Sequence, residues 1–246
     1  MRLTADELAA LPAKAKRDPE VVKLYQSHDY ATAYALHTDR RVLSEGAATA
    51  AGADASRDNW DTHGDLQRDF LIHSGLQPHH RLLEIGCGGG RLARKIVPYL
   101  EIGHYHGVDI SSAAIDAAAD LALEEGWAWH LPTFWQHIEV APLSFEFIWA
   151  HSVFTHLPVP MIEQVMREAG RRLASSGSVF LWTYIPSNQT ERYGLTQFRT
   201  TLEDYAACAA RAGLTFDEVP NWVRATGYEP GRWTYGQSVA VSRRIG

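Results

Sequence analysis

The sequence predicts an α/β protein with a doubly wound, mostly parallel sheet of seven strands, an antiparallel last strand and a helical N-terminal region. Two observations predict it. From Arg81 onward, short and almost continuously apolar runs alternate with helical stretches, the pattern of parallel strands covered by helices on both faces. The last two apolar runs, 214–219 and 237–242, have no helix between them, so we expect them to form an antiparallel pair.

Composition restricts the function classes. The 246 residues are 46% hydrophobic and 21% charged, which suits a globular domain with a large buried core. With 23 Lys and Arg against 29 Asp and Glu, the net charge is −6. An acidic balance argues against general binding to the nucleic-acid backbone, which needs a basic surface. We therefore expect no nucleic-acid partner.

Targeting signals and cysteine usage indicate the compartment. No run approaches the roughly 18 apolar residues of a membrane span. The N-terminus carries Asp6 and Glu7 and lacks the apolar region of a secretory signal. Two cysteines, Cys87 and Cys208, are too few for a metal cage or a disulfide framework. We expect a reduced, soluble, cytoplasmic protein without a membrane partner, and the residues favour neither a monomer nor a homo-oligomer.

The N-terminal region precedes the strand–helix alternation. Helical spacing covers 5–16 and 20–37, with a break at Asp18-Pro19, because proline is tolerated only in the first turn of a helix. Residues 45–56 are small and weakly polar, and they predict either a mobile loop or a frayed helix. A further helix is predicted over 61–74, with Gly75 as its C-cap.

The elements after Arg81 follow in regular order. Strands are predicted at 81–85, 105–110, 133–138, 145–150, 178–183, 214–219 and 237–242. Helices are predicted at 91–100, 113–125, 160–173 and 202–212. Together with the N-terminal region, this order predicts two parts, residues 1–57 with a flexible 45–56, and residues 58–246.

A glycine-rich turn followed by an acid is the most informative feature. The first strand runs into Gly86-Cys87-Gly88-Gly89-Gly90 and then into a helix. Such glycines let a ligand approach the backbone, and the helix N-terminus favours negative charge. Asp109 ends the second strand, where one carboxylate can accept hydrogen bonds from both hydroxyls of a ribose. This combination predicts a nucleoside cofactor.

The choice of cofactor depends on the residues around the turn. Counted from Gly86, the dinucleotide fingerprint fails at Arg91; counted from Gly88, Ala93 fits, but the strand would end two residues early. No phosphate-binding G-K-[ST] follows. Glu84, just before the turn, would repel a pyrophosphate but suits a cofactor with an amino group and a sulfonium. S-adenosylmethionine is favoured, and an NAD-dependent oxidoreductase remains the alternative.

These segments resemble the class I S-adenosylmethionine-dependent methyltransferases, over residues 58–242. Residues 84–90 resemble the family's first motif and 108–111 its second; 145–157, 172–178 and 236–239 resemble its later strands. The resemblance implies a methyltransferase that uses S-adenosylmethionine and releases S-adenosylhomocysteine. It further implies an N-terminal segment that closes over the cofactor as a lid.

The resemblance also implies the cofactor contacts. The residues expected to bind the cofactor are Trp60, Gln67, Glu84, Gly86, Cys87, Gly88, Gly90, Asp109, Ile110, His137, Ile138 and His151. Trp60 and Gln67 belong to the lid. His137 and Ile138 align with the adenine region, where many members have an acid that this chain lacks.

Candidate catalytic residues follow the fourth strand. His156 and His151 lie at the carboxyl edge, where open α/β sheets bind their ligands, and a histidine can accept the proton of a hydroxyl. Either histidine could instead anchor the next helix. Tyr184, after the fifth strand, is expected to line the acceptor pocket or to pack in the core. No metal is expected, since no H-E-x-x-H occurs.

The predicted function is therefore methyl transfer to a small-molecule acceptor, with a hydroxyl as the expected acceptor group. Transfer to nitrogen or carbon remains an alternative, and transfer to nitrogen would need less help from a base. A chain that binds S-adenosylmethionine without catalysis is a further alternative.

Overall fold

The computed structural model describes residues 2–50, 57–140, 144–228 and 236–245. Part of the predicted flexible segment, 51–56, lies outside the described residues. The strands are β1 (Leu82–Ile85), β2 (Tyr105–Val108), β3 (Thr133–Trp135), β4 (Phe147–Ala150), β5 (Val179–Tyr184), β6 (Glu191–Arg192), β7 (Phe198–Arg199), β8 (Asp217–Val219) and β9 (Ser238–Ser242).

Seven of these strands form one sheet in the order β3-β2-β1-β4-β5-β9-β8, and β6 pairs with β7 separately. Strands β1 to β5 are parallel, whereas β9 is antiparallel to both β5 and β8. The predicted fold class is confirmed, including the antiparallel last strand. All carboxyl ends of β1, β2 and β4 therefore meet at one edge of the sheet.

Nine helices are described: α1 (Ala5–Ala10), α2 (Pro19–Ser27), α3 (Tyr30–Glu45), α4 (Ala47–Ala50), α5 (Arg57–His73), α6 (Ala93–Ile96), α7 (Ser112–Glu124), α8 (Val159–Arg172) and α9 (Leu202–Arg211). Short 3-10 turns lie at Ala13–Lys16, after α1, and at Phe154–His156, after β4.

The helices differ from the prediction at three places. The helix expected over 5–16 is an α-helix over Ala5–Ala10 and a separate 3-10 turn over Ala13–Lys16, because Pro12 lies between them and has no backbone N–H to continue the helix. The single helix expected over 20–37 is two, because Asp29 caps a new helix by accepting from the backbone N–H of Thr32 at 3.1 Å. The helix expected over 91–100 is reduced to four residues, Ala93–Ile96, with turns on either side. The predicted C-cap is confirmed: Gly75 has φ +99° and donates to the carbonyl of Ile72.

Alternating side chains of the sheet build a core on each face. On β4, Ile148 packs on the face covered by α8 and α9, and Trp149 packs on the face covered by α5 and α6. Both side chains are fully buried. The sheet is thus covered by a buried core on each of its two faces.

The N-terminal helices pack as a third cluster and touch the sheet domain through α3. Tyr25, Tyr30 and Ala33 are buried there with Leu195 and Phe198 from the β6–β7 region. The predicted division at residue 57 coincides with the start of α5 and stays a prediction.

Candidate active site

The glycine turn after β1 has the backbone shape that its sequence predicted. Gly86 and Gly88 have φ values of +76° and +52°, which glycine adopts without strain. A Cβ on Gly86 would lie 2.5 Å from a methyl group of Val153, so the loop after β4 rests directly on the turn. A Cβ on Gly88 would meet nothing within 4 Å. Space for a ligand is thus left above Gly88.

Asp109 faces the same space from the end of β2. Its Oδ2 accepts from the backbone N–H of Gly88 at 2.9 Å, and its Oδ1 accepts from that of Ser111 at 2.9 Å. Burial raises the pKa of the carboxyl, while the two backbone hydrogen bonds oppose that rise. The carboxylate is held rigidly, and each oxygen retains a lone pair for a further donor.

Glu84 is a buried carboxyl beneath the turn, only 4% exposed, and Tyr105 donates its hydroxyl to it. Burial raises the pKa of Glu84 to about 8, although the hydrogen bond from Tyr105 and the charge of Arg91 act against the rise. A cation placed nearby would favour its ionised form. The neighbouring Cys87 thiol is also buried, and it packs against Gly107 of β2.

The carboxyl end of β4 carries a pair of histidines. Nε2 of His151 lies 3.0 Å from Nε2 of His63 on α5, and one ring must donate to the other. Burial lowers the pKa of His63 to about 3 and that of His151 well below its usual range, so both are neutral at pH 7. Nδ1 of His151 has no hydrogen-bond partner among the described residues.

Ser152 follows this pair in a left-handed conformation, with φ 58°, which is uncommon for a residue other than glycine. Its backbone N–H donates to Oγ1 of Thr183 at 2.8 Å, and its hydroxyl accepts from the amide of Gln237. Ser152 therefore lies between His151 and the 3-10 turn that ends at His156, and its backbone and hydroxyl are both held by hydrogen bonds.

His156 is held from two sides. Its Nδ1 lies 2.8 Å from the carbonyl oxygen of Thr196. Because a carbonyl only accepts, Nδ1 carries the proton, and Nε2 keeps its lone pair. The hydroxyl of Tyr30 donates to the backbone carbonyl of His156 at 2.6 Å, and the ring of Tyr34 lies 5.7 Å from the imidazole. Burial lowers the pKa of His156, so the neutral, proton-accepting form prevails near pH 7.

The two residues expected in the lid have different surroundings. Gln67 is buried in α5, and its Oε1 accepts from the indole N–H of Trp149 in the core at 2.9 Å. This contact joins α5 to the sheet, whereas Nε2 of Gln67 is buried without a hydrogen-bond partner among the described residues, so Gln67 also retains a donor. Trp60 is also buried, with the guanidinium of Arg94 5.5 Å above its ring, but its own indole N–H has no partner among the described residues. Trp60 retains a donor for a ligand.

The other predicted site residues differ in how deeply they are buried. Tyr184 lies wholly in the core, packs against Trp182 and donates its hydroxyl to Glu218, which favours the packing interpretation over the acceptor pocket. His137 is exposed after β3, and Ile138 packs against the core. The amide of Gln136 donates to the carbonyl of Ile110 at 3.2 Å, which ties the end of β3 to the end of β2.

Sequence reasoning missed the contribution of α3. Asp39 accepts from the hydroxyl of Ser111 at 2.6 Å and from the backbone N–H of Ala113 at 3.0 Å, so α3 caps α7 beside Asp109. Ala47 of α4 lies where a side chain on Gly89 would be, 2.3 Å from its Cβ position. Neither contact has a local signal, because each joins segments more than 40 residues apart in the sequence.

These observations define what the site can hold. Open space above Gly88, a buried carboxyl at Glu84, a fixed carboxylate at Asp109 and an unpartnered donor on Trp60 fit a ligand with a cationic group and a ribose. S-adenosylmethionine has both. Within the described ranges, no three His, Cys, Asp or Glu side chains are grouped to hold a metal ion.

Comparisons with known proteins agree with this site. Residues 83–179 match the model of a methyltransferase domain family. A ubiquinone biosynthesis O-methyltransferase of Nitrosococcus oceani is 29% identical over 140 residues, which cover 50% of this chain and 56% of that protein. A sterol 24-C-methyltransferase of Gibberella zeae is 24% identical over 224 residues, covering 88% of this chain and 58% of that protein. The chain spans less than two thirds of the length of both relatives.

The fold is also that of a solved methyltransferase. The crystal structure of magnesium protoporphyrin IX methyltransferase from Synechocystis with bound S-adenosylmethionine matches with a TM-score of 0.65 at 14% identity, covering 89% of this chain and 99% of that chain. The predicted family resemblance is confirmed by the domain match and this fold. No helix among the described residues is both long and apolar enough to span a membrane.

Proposed function

Because residues 83–179 match a methyltransferase domain and the fold is that of a solved methyltransferase, we propose that the chain is a class I S-adenosylmethionine-dependent methyltransferase that transfers a methyl group to the hydroxyl of a small molecule, with His156 as general base. The observation that carries the proposal is the hydrogen bond from Nδ1 of His156 to the carbonyl of Thr196, 2.8 Å long. It leaves the basic Nε2 of a neutral imidazole to face an acceptor.

The cofactor contacts extend the proposal. Glu84 holds the ammonium of the cofactor, since a buried carboxylate gains most from a cation in a site of low dielectric. Asp109 accepts from the ribose hydroxyls, and Gly86, Gly88 and Gly90 allow the backbone to approach the methionine portion. His151 lines the sulfonium side of the site at the end of β4.

The reaction needs alignment more than bond activation. S-adenosylmethionine supplies a methyl group on a sulfonium, already a good leaving group. The protein holds the acceptor oxygen in line with that methyl, which by itself gives a large rate advantage. The new carbon–oxygen bond would form as the methyl–sulfur bond breaks and S-adenosylhomocysteine leaves. The hydroxyl proton passes to Nε2 of His156, and a later exchange with solvent restores the base.

Relatives support transfer to a small molecule but differ in the acceptor atom. One is named as an O-methyltransferase and the other as a sterol C-methyltransferase. We favour oxygen because His156 supplies a base, and a base accelerates attack by a hydroxyl most. A carbon acceptor is the second candidate, since the C-methyltransferase match covers 88% of the chain.

The test incubates the purified chain with S-adenosylmethionine carrying a labelled methyl group and with hydroxylated small molecules. We expect S-adenosylhomocysteine and a product that gains one labelled methyl on oxygen, located by mass spectrometry and NMR. A label on carbon would replace the oxygen proposal with the second candidate. Failure of S-adenosylmethionine to bind in calorimetry would overturn the proposal altogether.

A further inference from the structure

A cleft in the N-terminal helical region has a volume of about 340 Å³. It lies between the Ala13–Lys16 turn, the start of α2 and one face of α3, with Leu195 from the β6–β7 loop closing it. We call it the basic cleft. This volume is in the range of pockets that hold small molecules.

Charge in the basic cleft is unbalanced. Its lining includes four cationic side chains, at Lys14, Arg17, Arg40 and Arg41, but only two carboxylates, at Asp18 and Glu45. Arg40 approaches Asp18 at 3.4 Å, and Arg41 lies 3.2 Å from Glu45. Both acids are thus already engaged with cations.

Lys14 and Arg17 are the two other cations that line the basic cleft. Both side chains are exposed, and neither has an ion pair within the described part of the chain. Val21 and Leu195 provide apolar wall beside them. A cleft with two available cations and an apolar wall suits a molecule with a small apolar body and an anionic end.

One face of α3 connects the basic cleft to His156. Tyr30, Tyr34, His37 and Arg41 are spaced three or four residues apart, so they share that face. Tyr34 packs against the His156 ring at 5.7 Å, whereas His37 and Arg41 line the cleft. Seven residues of helix separate Tyr34 from Arg41, a distance of about 10 Å along the axis.

Two further observations place the cleft near the base. Leu195 of the cleft precedes Thr196, whose carbonyl accepts from His156. Burial lowers the pKa of His156 most, and the positive charge of Arg41 lowers it further. The guanidinium of Arg41 is therefore close enough to act on the imidazole. The cleft wall formed by Arg41 and the base beside Tyr34 are thus about 10 Å apart along the axis of α3.

We propose that the methyl acceptor carries an anionic group, a carboxylate or a phosphate, which Lys14 and Arg17 bind in the basic cleft while its hydroxyl reaches His156. The assignment of the acceptor class rests on the proposed methyl transfer. The anion-binding site itself can be tested without the reaction.

The test measures binding of benzoate, phenyl phosphate and neutral benzamide to the full chain by calorimetry at low ionic strength. We expect both anions to bind and benzamide to bind far more weakly. Added salt should weaken the binding of the anions, because exposed charges are screened. Tighter binding of phenyl phosphate than benzoate would identify phosphate as the anionic group, and the reverse order would identify a carboxylate.

Two variants test whether Lys14 and Arg17 form the anion-binding site. The double substitution Lys14→Gln and Arg17→Gln should weaken anion binding roughly 10-fold, the scale of two exposed charge contacts. Lys23→Gln, an exposed lysine on α2 outside the cleft, is the matched control and should bind as the wild type does. Both variants should bind S-adenosylmethionine normally.

Two outcomes would overturn the inference: no anion binding by the wild type, or equal binding by the wild type and the double variant. Methyl transfer to a neutral alcohol, unaffected by the double substitution, would remove the anionic acceptor and leave the proposed function standing. Absence of S-adenosylmethionine binding would instead contradict the proposed function, whatever the anions do.

Discussion

The backbone N–H of Gly88 donates a 2.9 Å hydrogen bond to Oδ2 of Asp109, which joins the glycine turn after β1 to the acid after β2. The acid therefore has two tasks. It fixes the shape of the turn, and it presents a carboxylate to the space above Gly88, where a side chain would meet nothing within 4 Å. Substitutions at either residue should reveal both tasks.

Asp109→Ala should weaken binding of S-adenosylmethionine by about 1–3 kcal/mol, the cost of losing hydrogen bonds to a charged group. Asp109→Asn should cost less, because its single side-chain oxygen can still accept from one of the two backbone N–H groups. Calorimetry measures both, with Asp120→Ala on the exposed side of α7 as the control. Unchanged affinity in a folded Asp109→Ala variant would refute the ribose contact.

Gly88→Val should abolish cofactor binding, because the side chain would fill the open space above the turn and β-branched residues disfavour a φ of +52°. Gly103→Val separates these causes: Gly103 also has a positive φ, +78°, and open space around its Cβ, but it lies in the turn before β2. We expect both variants to lose stability and only Gly88→Val to lose binding in calorimetry. Normal binding by Gly88→Val would show that the turn does not contact the cofactor.

His156→Ala should lower turnover by about 10²–10⁴-fold if the imidazole is the general base. It also removes the hydrogen bond to Thr196, so stability should fall as well. His156→Asn keeps a donor near the position of Nδ1 but has no base, and we expect it to recover stability without recovering turnover. Melting temperature, turnover and cofactor affinity of both variants distinguish a catalytic role from a structural one. Normal turnover in His156→Asn would show that His156 only stabilises the loop.

The pH dependence of turnover gives a second measure of the same base. The wild-type rate should rise with pH as His156 loses its proton, and burial moves that pKa below the usual histidine range. The rising limb should therefore lie on the acid side of a normal histidine and should be absent in His156→Asn. A limb that persists in this variant would assign the titration to another group.

Glu84 should make stability decrease with rising pH. Its folded pKa of about 8 lies above the ordinary glutamate value of 4.5, so the folded state binds more protons between these two values. Its contribution to the unfolding free energy is greatest below pH 4.5 and declines up to pH 8, by at most about 1.4 kcal/mol per unit. Glu84→Gln cannot ionise, and its stability relative to the wild type should increase from pH 6 to pH 8.

Denaturant unfolding at several pH values measures this difference. The buried histidines have lowered pKa values and favour the folded state as pH rises towards 6.5, so only the difference between the two proteins isolates Glu84. A difference that stays constant over pH 6 to 8 would contradict the raised pKa.

Local patterns explain what the sequence could predict. The glycine turn and Asp109 were found because each needs only its neighbours: an apolar strand before it and a helix after it. The antiparallel pairing of β8 and β9 followed from the missing helix between them. The break at Asp29 was missed because an N-cap in an otherwise helical run changes the helix without changing its apolar spacing.

Contacts between distant segments explain what was missed. His63 pairs with His151 across 88 residues, and Asp39 reaches Ser111 across 72, so neither pairing leaves a trace in local spacing. The hydrogen bond from the indole of Trp149 to Oε1 of Gln67 spans 82 residues, so local spacing carries no sign of it. The cofactor contact expected of Gln67 stays a prediction, because its Nε2 has no partner among the described residues.

Helix α3 is attached to the sheet domain by hydrogen bonds at two points along its length. The hydroxyl of Tyr30 donates to the His156 carbonyl, and Asp39 accepts from Ser111 and Ala113 at the start of α7. One attachment lies beside the proposed base and the other beside the acid that ends β2. Because one helix carries both attachments, a shift of α3 at one of them is transmitted to the other. We therefore expect binding of one substrate to change the affinity for the second, which calorimetry with and without the first substrate measures.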